Sequence, residues 1–200
     1  MRIADAMMKR LEKEVEHVFY LPGGGACYLV DALGQSNIKA VACLHEQGAG
    51  YAAVGYAQQR GFGVCLVTSG PGTTNAVTPC LAAYLDSVPV LFISGQVPLP
   101  QMRRGSMRCK GTQEAPIIEI VKPITKWAQI IRAEVPAAYW LDYAIFSCRD
   151  KRPGPIWLDV PMDVQGTECK GDGTYVPLDA MAAVSPDNPN NPFHYQRGKK

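Results

Sequence analysis

The stretch GVCLVTSGPGTTNAVTPCLAAYLDSVPVLFISG (residues 63–95) decides the fold of this chain. Residues 63–68 and 88–95 are apolar runs of the kind that form strands buried on both faces of a sheet. The segment between them opens with turn-forming glycines and continues with a helical composition. Continuous apolar strands separated by a helix predict a parallel sheet that is covered by helices on both faces.

The same alternation extends along the chain in both directions. Further strands are predicted at residues 17–21, 38–44, 125–131 and 155–160. Further helices are predicted at residues 3–15, 27–34, 47–60, 117–121 and 135–149, and the one that follows SGPGTTN (69–75) is expected to run to about Asp86. The first helix carries apolar residues at a four-residue spacing. We therefore expect a doubly wound α/β fold, with a mostly parallel sheet and helices on both faces.

Length and composition fit one domain of this type. The chain has 200 residues, of which 47% are hydrophobic and 19% are charged. A net charge of +2 is too small to indicate nucleic-acid binding. No apolar run reaches the length of about 18 residues that a membrane span needs, and the charged N-terminus does not resemble a signal peptide. We expect a cytoplasmic protein without nucleic-acid or membrane partners.

The seven cysteines, at positions 27, 43, 65, 80, 109, 148 and 169, are odd in number and widely spaced. They form no C-x-x-C pair, and several lie in apolar runs. Buried, reduced thiols explain this pattern better than disulfides or metal ligands do. We accordingly predict no metal site in this chain.

Three glycine-containing loops follow predicted strands: LPGGG (21–25), HEQGAG (45–50) and TSGPGTTN (68–75). In an open parallel sheet, ligands bind beyond the carboxyl ends of the strands. Glycines let a ligand approach the backbone, and helix N-termini offer free N–H groups. Neither a dinucleotide fingerprint nor a P-loop is present. One such loop alone is more often a tight turn, but three at one edge predict a ligand site.

Three motifs, at residues 45–61, 63–98 and 152–165, resemble a known family. They are HEQGAGYAAVGYAQQRG, GVCLVTSGPGTTNAVTPCLAAYLDSVPVLFISGQVP and RPGPIWLDVPMDVQ. In order and spacing they are similar to the N-terminal pyrimidine-binding domain of thiamine-diphosphate enzymes of the acetolactate synthase type. The resemblance implies a thiamine-diphosphate-binding domain over residues 1–166. Residues 167–200, rich in proline and asparagine, are expected to form a linker or disordered tail.

The resemblance implies a catalytic role for Glu46. In the family, the glutamate of the H-E-Q-G-A motif hydrogen-bonds N1′ of the cofactor's aminopyrimidine ring and shares a proton with it. The cofactor then attacks a 2-oxo acid such as pyruvate, and carbon dioxide leaves. The competing interpretation is that Glu46 only stabilises a helix N-terminus through the helix dipole. The adjacent His45 is interpreted as structural.

The resemblance also implies further site residues. Those expected to bind the cofactor are Pro22, Gly23, Gly24, Glu46, Ser69, Gly70, Thr73 and Asn75. Gln113 corresponds to the family's active-site glutamine on the substrate side and is predicted to be catalytic. The preceding residue is Thr112, where the family's synthases usually have an aromatic residue or histidine, which leaves the acceptor substrate open. In the alternative interpretation, these loops are simple turns and helix caps.

The cofactor and partners expected from the resemblance extend beyond this chain. The family holds the diphosphate and its Mg²⁺ in a separate C-terminal domain with a G-D-G motif and a later asparagine. Here KGDG occurs at residues 170–173, but Asn188 follows Gly173 by only 15 positions. We interpret this KGDG as coincidental, and we expect the diphosphate-binding domain or subunit to be supplied from elsewhere. Some relatives hold FAD, which nothing in this sequence supports.

Assembly and function are expected to be linked. The resemblance implies a homodimer or higher homo-oligomer, because the family's cofactor lies between domains of different subunits. The predicted function is the pyrimidine-binding half of an enzyme that decarboxylates and ligates 2-oxo acids, incomplete by itself. The alternatives are a non-catalytic binding or interaction module and a separate subunit of a split thiamine-diphosphate decarboxylase.

Overall fold

Strands and helices alternate along residues 1–103, 105 and 107–169, which are the residues that the computed structural model describes. The strands are β1 (His17–Tyr20), β2 (Lys39–Ala42), β3 (Gly63–Val67), β4 (Val90–Gln96), β5 (Trp127–Ile130) and β6 (Ile156–Pro161). The helices are α1 (Ile3–Leu11), α2 (Cys27–Gln35), α3 (Glu46–Arg60), α4 (Pro71–Asn75), α5 (Val77–Leu85), α6 (Ile117–Val121), α7 (Ala137–Arg149) and α8 (Met162–Gly166). The KGDG segment lies outside the described residues.

All of these strands are parallel and form one sheet in the order β2-β1-β3-β4-β6-β5. The predicted doubly wound α/β fold is therefore confirmed. From β1 the chain moves outward to β2 and then returns to β3 on the other side of β1. The strand order thus reverses between β1 and β3, and in such sheets the crevice at the reversal point is where ligands bind.

Two hydrophobic layers cover the sheet, one on each face. Alternate strand residues point to opposite faces, so Val64 and Leu66 of β3 pack with α1, α2 and α7. Cys65 and Val67 of the same strand pack with α3, α5 and α6 on the other face. Every residue of β3 and β4 is buried. This two-sided burial explains why β3 and residues 90–93 of β4 are continuously apolar rather than alternating.

Several boundaries differ from the prediction. The helix predicted to follow the TSGPGTTN loop is α5, but residues 71–75 of that loop form the short helix α4, which was not predicted, and a break at Ala76 separates the two helices. Pro79 explains the break, because proline has no N–H to donate to the carbonyl of Asn75 and its ring clashes with that group. β2 is also shorter than predicted, since the chain leaves the sheet after Ala42 and Leu44 is fully exposed.

The prediction that the cysteines are buried holds for only some of them. Cys65, Cys80 and Cys148 are buried, and Cys43 and Cys169 are half-buried. Cys27 and Cys109 are exposed, so the prediction is wrong for these two. Cys27 opens α2 on its solvent side, and Cys109 lies in the surface segment before α6.

The last described residues pair with the first ones. The Ile3 amide donates to the Thr167 carbonyl at 2.8 Å, and the Cys169 amide donates to the Met1 carbonyl at 2.9 Å. These two hydrogen bonds join residues 167–169 to the start of the chain. Within the described residues, no helix combines the length and the apolar character that crossing a membrane requires.

Candidate functional site

The loops that follow β1 and β3 meet at the point where the strand order reverses. The Gly25 amide donates a hydrogen bond to Thr68 Oγ1 at 3.1 Å. A Cβ atom at Gly23 would lie only 2.5 Å from the Cβ of Thr68, so any larger residue would push the loops apart. The glycine at position 23 therefore permits the close contact that forms this part of the crevice.

Glu46 lies beside this crevice as the first residue of α3. It is one of the few charged side chains in the buried class, with 8% of its surface exposed. Asn75 Nδ2 donates a hydrogen bond to Glu46 Oε2 at 2.9 Å. A Cβ atom at Gly72 would lie 3.3 Å from Glu46 Oε1. One carboxylate oxygen is therefore held by an amide, while the other lies next to a residue that has no side chain.

His45 caps the helix that Glu46 begins. Its Nδ1 accepts a hydrogen bond from the Gln47 amide at 3.1 Å, which satisfies one of the free N–H groups of the first turn. This contact agrees with the structural interpretation of His45. The helix dipole also stabilises a negative charge on Glu46 at the helix N-terminus. The competing interpretation, in which Glu46 stabilises the helix, is therefore compatible with a role of Glu46 in the site.

Gln113 is brought to the same edge by a contact with Gly70. A Cβ atom at Gly70 would run into the Gln113 carbonyl oxygen, and Gly70 has a φ of +61°, a conformation that favours glycine. Gln113 itself has a φ of +61°, which is uncommon for a residue with a side chain. Its side chain is exposed. The structure thus places Gln113 directly over the loop that follows β3.

The remaining predicted residues divide into two groups. Pro22, Gly24 and Asn75 are exposed, and Gly23 is half-buried, so a ligand can reach these four residues. Ser69 and Thr73 are buried. The Thr73 hydroxyl donates to the Gly70 carbonyl at 2.6 Å. Thr73 therefore fixes the first turn of α4, as in the alternative interpretation, and its role toward a ligand stays a prediction.

Two residues that shape the crevice were not identified from the sequence. Thr68 holds the first loop through the contact with Gly25 described above. Gln165 is buried in α8, and its Nε2 donates to the Gly25 and Val160 carbonyls, both at 2.7 Å. Thr68 could have been singled out as the polar residue that ends an apolar strand. Gln165 offers no such signal, because its partner lies 140 positions away in the chain.

Comparison with known proteins agrees with this arrangement. Residues 1–116 match the sequence profile described as "Thiamine pyrophosphate enzyme, N-terminal TPP binding domain". The chain belongs to this thiamine pyrophosphate enzyme family. The matched region includes the loops after β1, β2 and β3 together with Gln113, so the crevice described above lies within the part that defines the family. Thiamine diphosphate is accordingly the cofactor to which the site must be compared.

Relatives within the thiamine pyrophosphate enzyme family are acetolactate synthases. The chain is 42% identical over 165 residues to acetolactate synthase 1, chloroplastic, of Nicotiana tabacum, covering 81% of this chain and 24% of that protein. It is 42% identical over 170 residues to acetolactate synthase of Mycobacterium leprae (84% and 26%). It is 39% identical over 170 residues to acetolactate synthase of Arthrospira platensis (82% and 28%). The chain thus spans about a quarter of the length of these relatives.

Proposed function

We propose that this chain supplies the pyrimidine-binding half of a thiamine-diphosphate site that decarboxylates 2-oxo acids and ligates the product to an acceptor. The observation that carries the proposal is Glu46, a buried carboxylate at the reversal point of the sheet. Its Oε2 accepts a hydrogen bond from Asn75, and its Oε1 lies next to Gly72. The acetolactate synthase relatives support the reaction class.

The residues present fit the pyrimidine portion of thiamine diphosphate. Asn75 occupies Glu46 Oε2 and leaves Oε1 beside Gly72, where a ring nitrogen could reach it. Gly24 is exposed and Gly23 is half-buried, so a flat ring can approach the backbone of the loop after β1. A carboxyl group that shares its proton with a ring nitrogen needs such an open oxygen in a site that water reaches poorly.

In this proposal, the protein holds and orients the proton that Glu46 shares with the pyrimidine ring. Bound thiamine diphosphate supplies the ring system on which a 2-oxo acid loses carbon dioxide. Glu46 holds a proton at the oxygen that faces the pyrimidine, and Asn75 fixes the plane of the carboxyl group. The N-terminus of α3 stabilises the carboxylate when the proton leaves. Gln113, which lies against Gly70, is proposed to contact the substrate.

Magnesium and the diphosphate are proposed to bind outside the described residues. Within the described residues, no group of three or more His, Cys, Asp or Glu side chains is placed to hold a metal ion. Isothermal titrations with thiamine and with thiamine diphosphate plus Mg²⁺ test this point. Similar affinities support a diphosphate site elsewhere, whereas far tighter binding of thiamine diphosphate would show that residues 170–200 supply its ligands.

Association with a second copy or another subunit is part of the proposal. Large apolar side chains are exposed on α3 and α5 and at the turn between β2 and α3: Leu44, Tyr51, Leu81, Tyr84 and Leu85. Exposed apolar surface of this kind often marks an interface. We propose a symmetric homodimer. Sedimentation at increasing concentration tests it, and a chain that stays monomeric would contradict it.

Complementation tests the catalytic proposal. The chain replaces the matching first quarter of the Mycobacterium leprae relative, and pyruvate consumption is measured. We expect activity that the substitution Glu46→Gln abolishes, because glutamine cannot carry the shared proton. Absence of activity in a correctly folded hybrid would favour the non-catalytic module instead.

A further inference from the structure

A cavity of about 320 Å³ lies at the other half of the same sheet edge, beyond the carboxyl ends of β4, β5 and β6. Its walls combine the apolar side chains of Leu99, Met102, Ile117, Ile118 and Ile130 with a similar area of polar and charged groups. Its size is at the lower end of the range found for small-molecule sites. No predicted cofactor-binding residue lines this cavity, so it is separate from the Glu46 crevice.

A buried carboxyl group, that of Asp159, faces this cavity. Only 1% of Asp159 is exposed. Its Oδ1 accepts a hydrogen bond from Ser94 Oγ at 2.6 Å, and its Oδ2 accepts one from Gln96 Nε2 at 2.9 Å. Trp157 Nε1 donates to Ser94 Oγ at 2.8 Å, so the Ser94 proton is directed at Asp159. Both donors are neutral, and each carboxylate oxygen keeps acceptor capacity.

The polar neighbour Gln96 offers no free donor to a ligand. Its Nε2 also donates to the Ala115 carbonyl at 3.0 Å, so both of its N–H groups are used. Its Oε1 accepts from the Val97 amide at 3.0 Å. Asp159 is therefore the group on this side of the cavity that can bind a ligand's polar end.

No cation balances Asp159 among the described residues, where none of the ion pairs includes it. Arg103 lines the cavity but pairs with Glu119 at 2.9 Å. Arg132 also lines the cavity and is exposed. Burial raises the pKa of Asp159 to about 7. A buried carboxylate without a cation is costly, and in proteins such groups are normally paired.

We propose that this cavity binds a small organic cation, a primary ammonium or amidinium group on an apolar body, with Asp159 as its acceptor. The cationic N–H groups donate to the carboxylate oxygens, and the body packs against the aliphatic side chains of the walls. The ion pair that forms is well shielded from water, and charge-assisted hydrogen bonds are about twice as strong as neutral ones.

Benzylamine, benzyl alcohol and benzoate are suitable probes, because they combine the same ring with a cationic, a neutral or an anionic head. The isotope-labelled 200-residue chain is titrated with each probe and followed by NMR. At pH 8 we expect benzylamine to shift the amides of Gln96, Ala115, Ile130 and Asp159. Its affinity should exceed that of benzyl alcohol by about tenfold, as one charge-assisted hydrogen bond predicts, and benzoate should not bind.

The pH dependence of binding separates Asp159 from the other charged groups that line the cavity, which are Arg103, Glu114, Glu119 and Arg132. Benzylamine stays protonated between pH 6 and pH 8, whereas Asp159 titrates in this range. The affinity should therefore fall about tenfold from pH 8 to pH 6. A pH-independent affinity would exclude Asp159 as the acceptor.

Variants complete the test. Asp159→Asn should remove the preference for benzylamine over benzyl alcohol, and the matched control Glu119→Gln at the rim should keep it. If Asp159→Asn does not fold, Leu99→Trp tests the proposal, because the larger side chain fills the cavity and should abolish binding of both probes. Benzylamine that binds no better than benzyl alcohol, or equally well after Leu99→Trp, would overturn the proposal.

Discussion

The side-chain amide of Asn75 donates a hydrogen bond to Glu46 Oε2 at 2.9 Å, across 29 positions of the chain. This contact joins the end of α4 to the start of α3. The sequence resemblance assigned both residues to the cofactor. The structure adds that one of them orients the other, so Asn75 is a positioning residue for the carboxyl group of Glu46.

Replacing Asn75 tests its positioning role. Because Asn75 is exposed, Asn75→Ala should leave the fold intact while freeing Glu46 Oε2 to rotate away. Loss of one hydrogen bond to a charged group predicts thiamine binding that is weaker by about 10-fold. The measurement is isothermal titration. Thr74→Ala is the matched control, since Thr74 is an exposed neighbour whose hydroxyl donates to the Pro71 carbonyl and not to Glu46; an equal loss in both variants would contradict the positioning role.

Replacing Gly70 tests the close contact between Gly70 and the backbone carbonyl of Gln113. An alanine at this position would adopt an unfavourable positive φ, and its Cβ would meet the Gln113 carbonyl. Gly70→Ala should lower the free energy of unfolding by about 1–3 kcal/mol, measured by urea denaturation. The control is Gly55→Ala on the exposed side of α3, where a Cβ meets nothing within 4 Å and helix propensity predicts a gain of up to about 1 kcal/mol.

Asp159 should make the stability of the protein depend on pH. Its pKa is raised by burial from 3.8 in the unfolded chain to about 7 in the folded protein. The folded state therefore binds more protons between these values, and its stability falls as the pH rises from about 4 to 7. The loss contributed by this group amounts to at most about 4 kcal/mol and levels off above pH 7.

Urea denaturation of the wild type and of Asp159→Asn at several pH values checks this expectation. The free energy of unfolding of the wild type should decrease relative to that of the variant across this pH range. A constant difference between the two proteins would show that Asp159 does not titrate in the folded state.

The cysteines should differ in reactivity. Burial raises the pKa of the Cys148 thiol to about 12 and also raises the pKa values of Cys65 and Cys80. Thiolates are the reactive species, so these three should resist alkylation until the protein unfolds. Cys27 and Cys109 are exposed and should react first. Mass spectrometry after brief iodoacetamide treatment identifies the modified positions, and early modification of Cys148 would contradict the described core.

The parallel sheet was predictable because its central strands are buried on both faces. The sequences of β3 and of the first part of β4 (residues 90–93) are continuously apolar, and that pattern leaves few alternatives to a sheet covered on both sides. Helix α4 was missed because residues 71–75 belong to a glycine-containing stretch that predicts a loop. The exact end of β2 was missed because Cys43 and Leu44 continue the apolar run after the backbone has left the sheet.

The site was predictable only in part. The three loops could be placed at one edge because each follows a parallel strand, and the resemblance then assigned Glu46. The pairing of Asn75 with Glu46 and the buried network around Asp159 depend on contacts between residues 29 and more than 60 positions apart. Local sequence patterns contain no information about such pairs, so these features emerge only from the folded structure.

The most direct test of the central claim is an NMR titration of the 200-residue chain with thiamine, which carries the pyrimidine ring without the diphosphate. We predict saturable shifts in the amides of Gly23, Gly24, Glu46 and Gly70. Affinity should fall about 10- to 100-fold in Glu46→Gln, the loss expected for a charge-assisted hydrogen bond, and should be unchanged in Glu16→Gln, an exposed acid before β1. Shifts that map elsewhere, or wild-type affinity in Glu46→Gln, would contradict the assignment of this crevice to the pyrimidine ring.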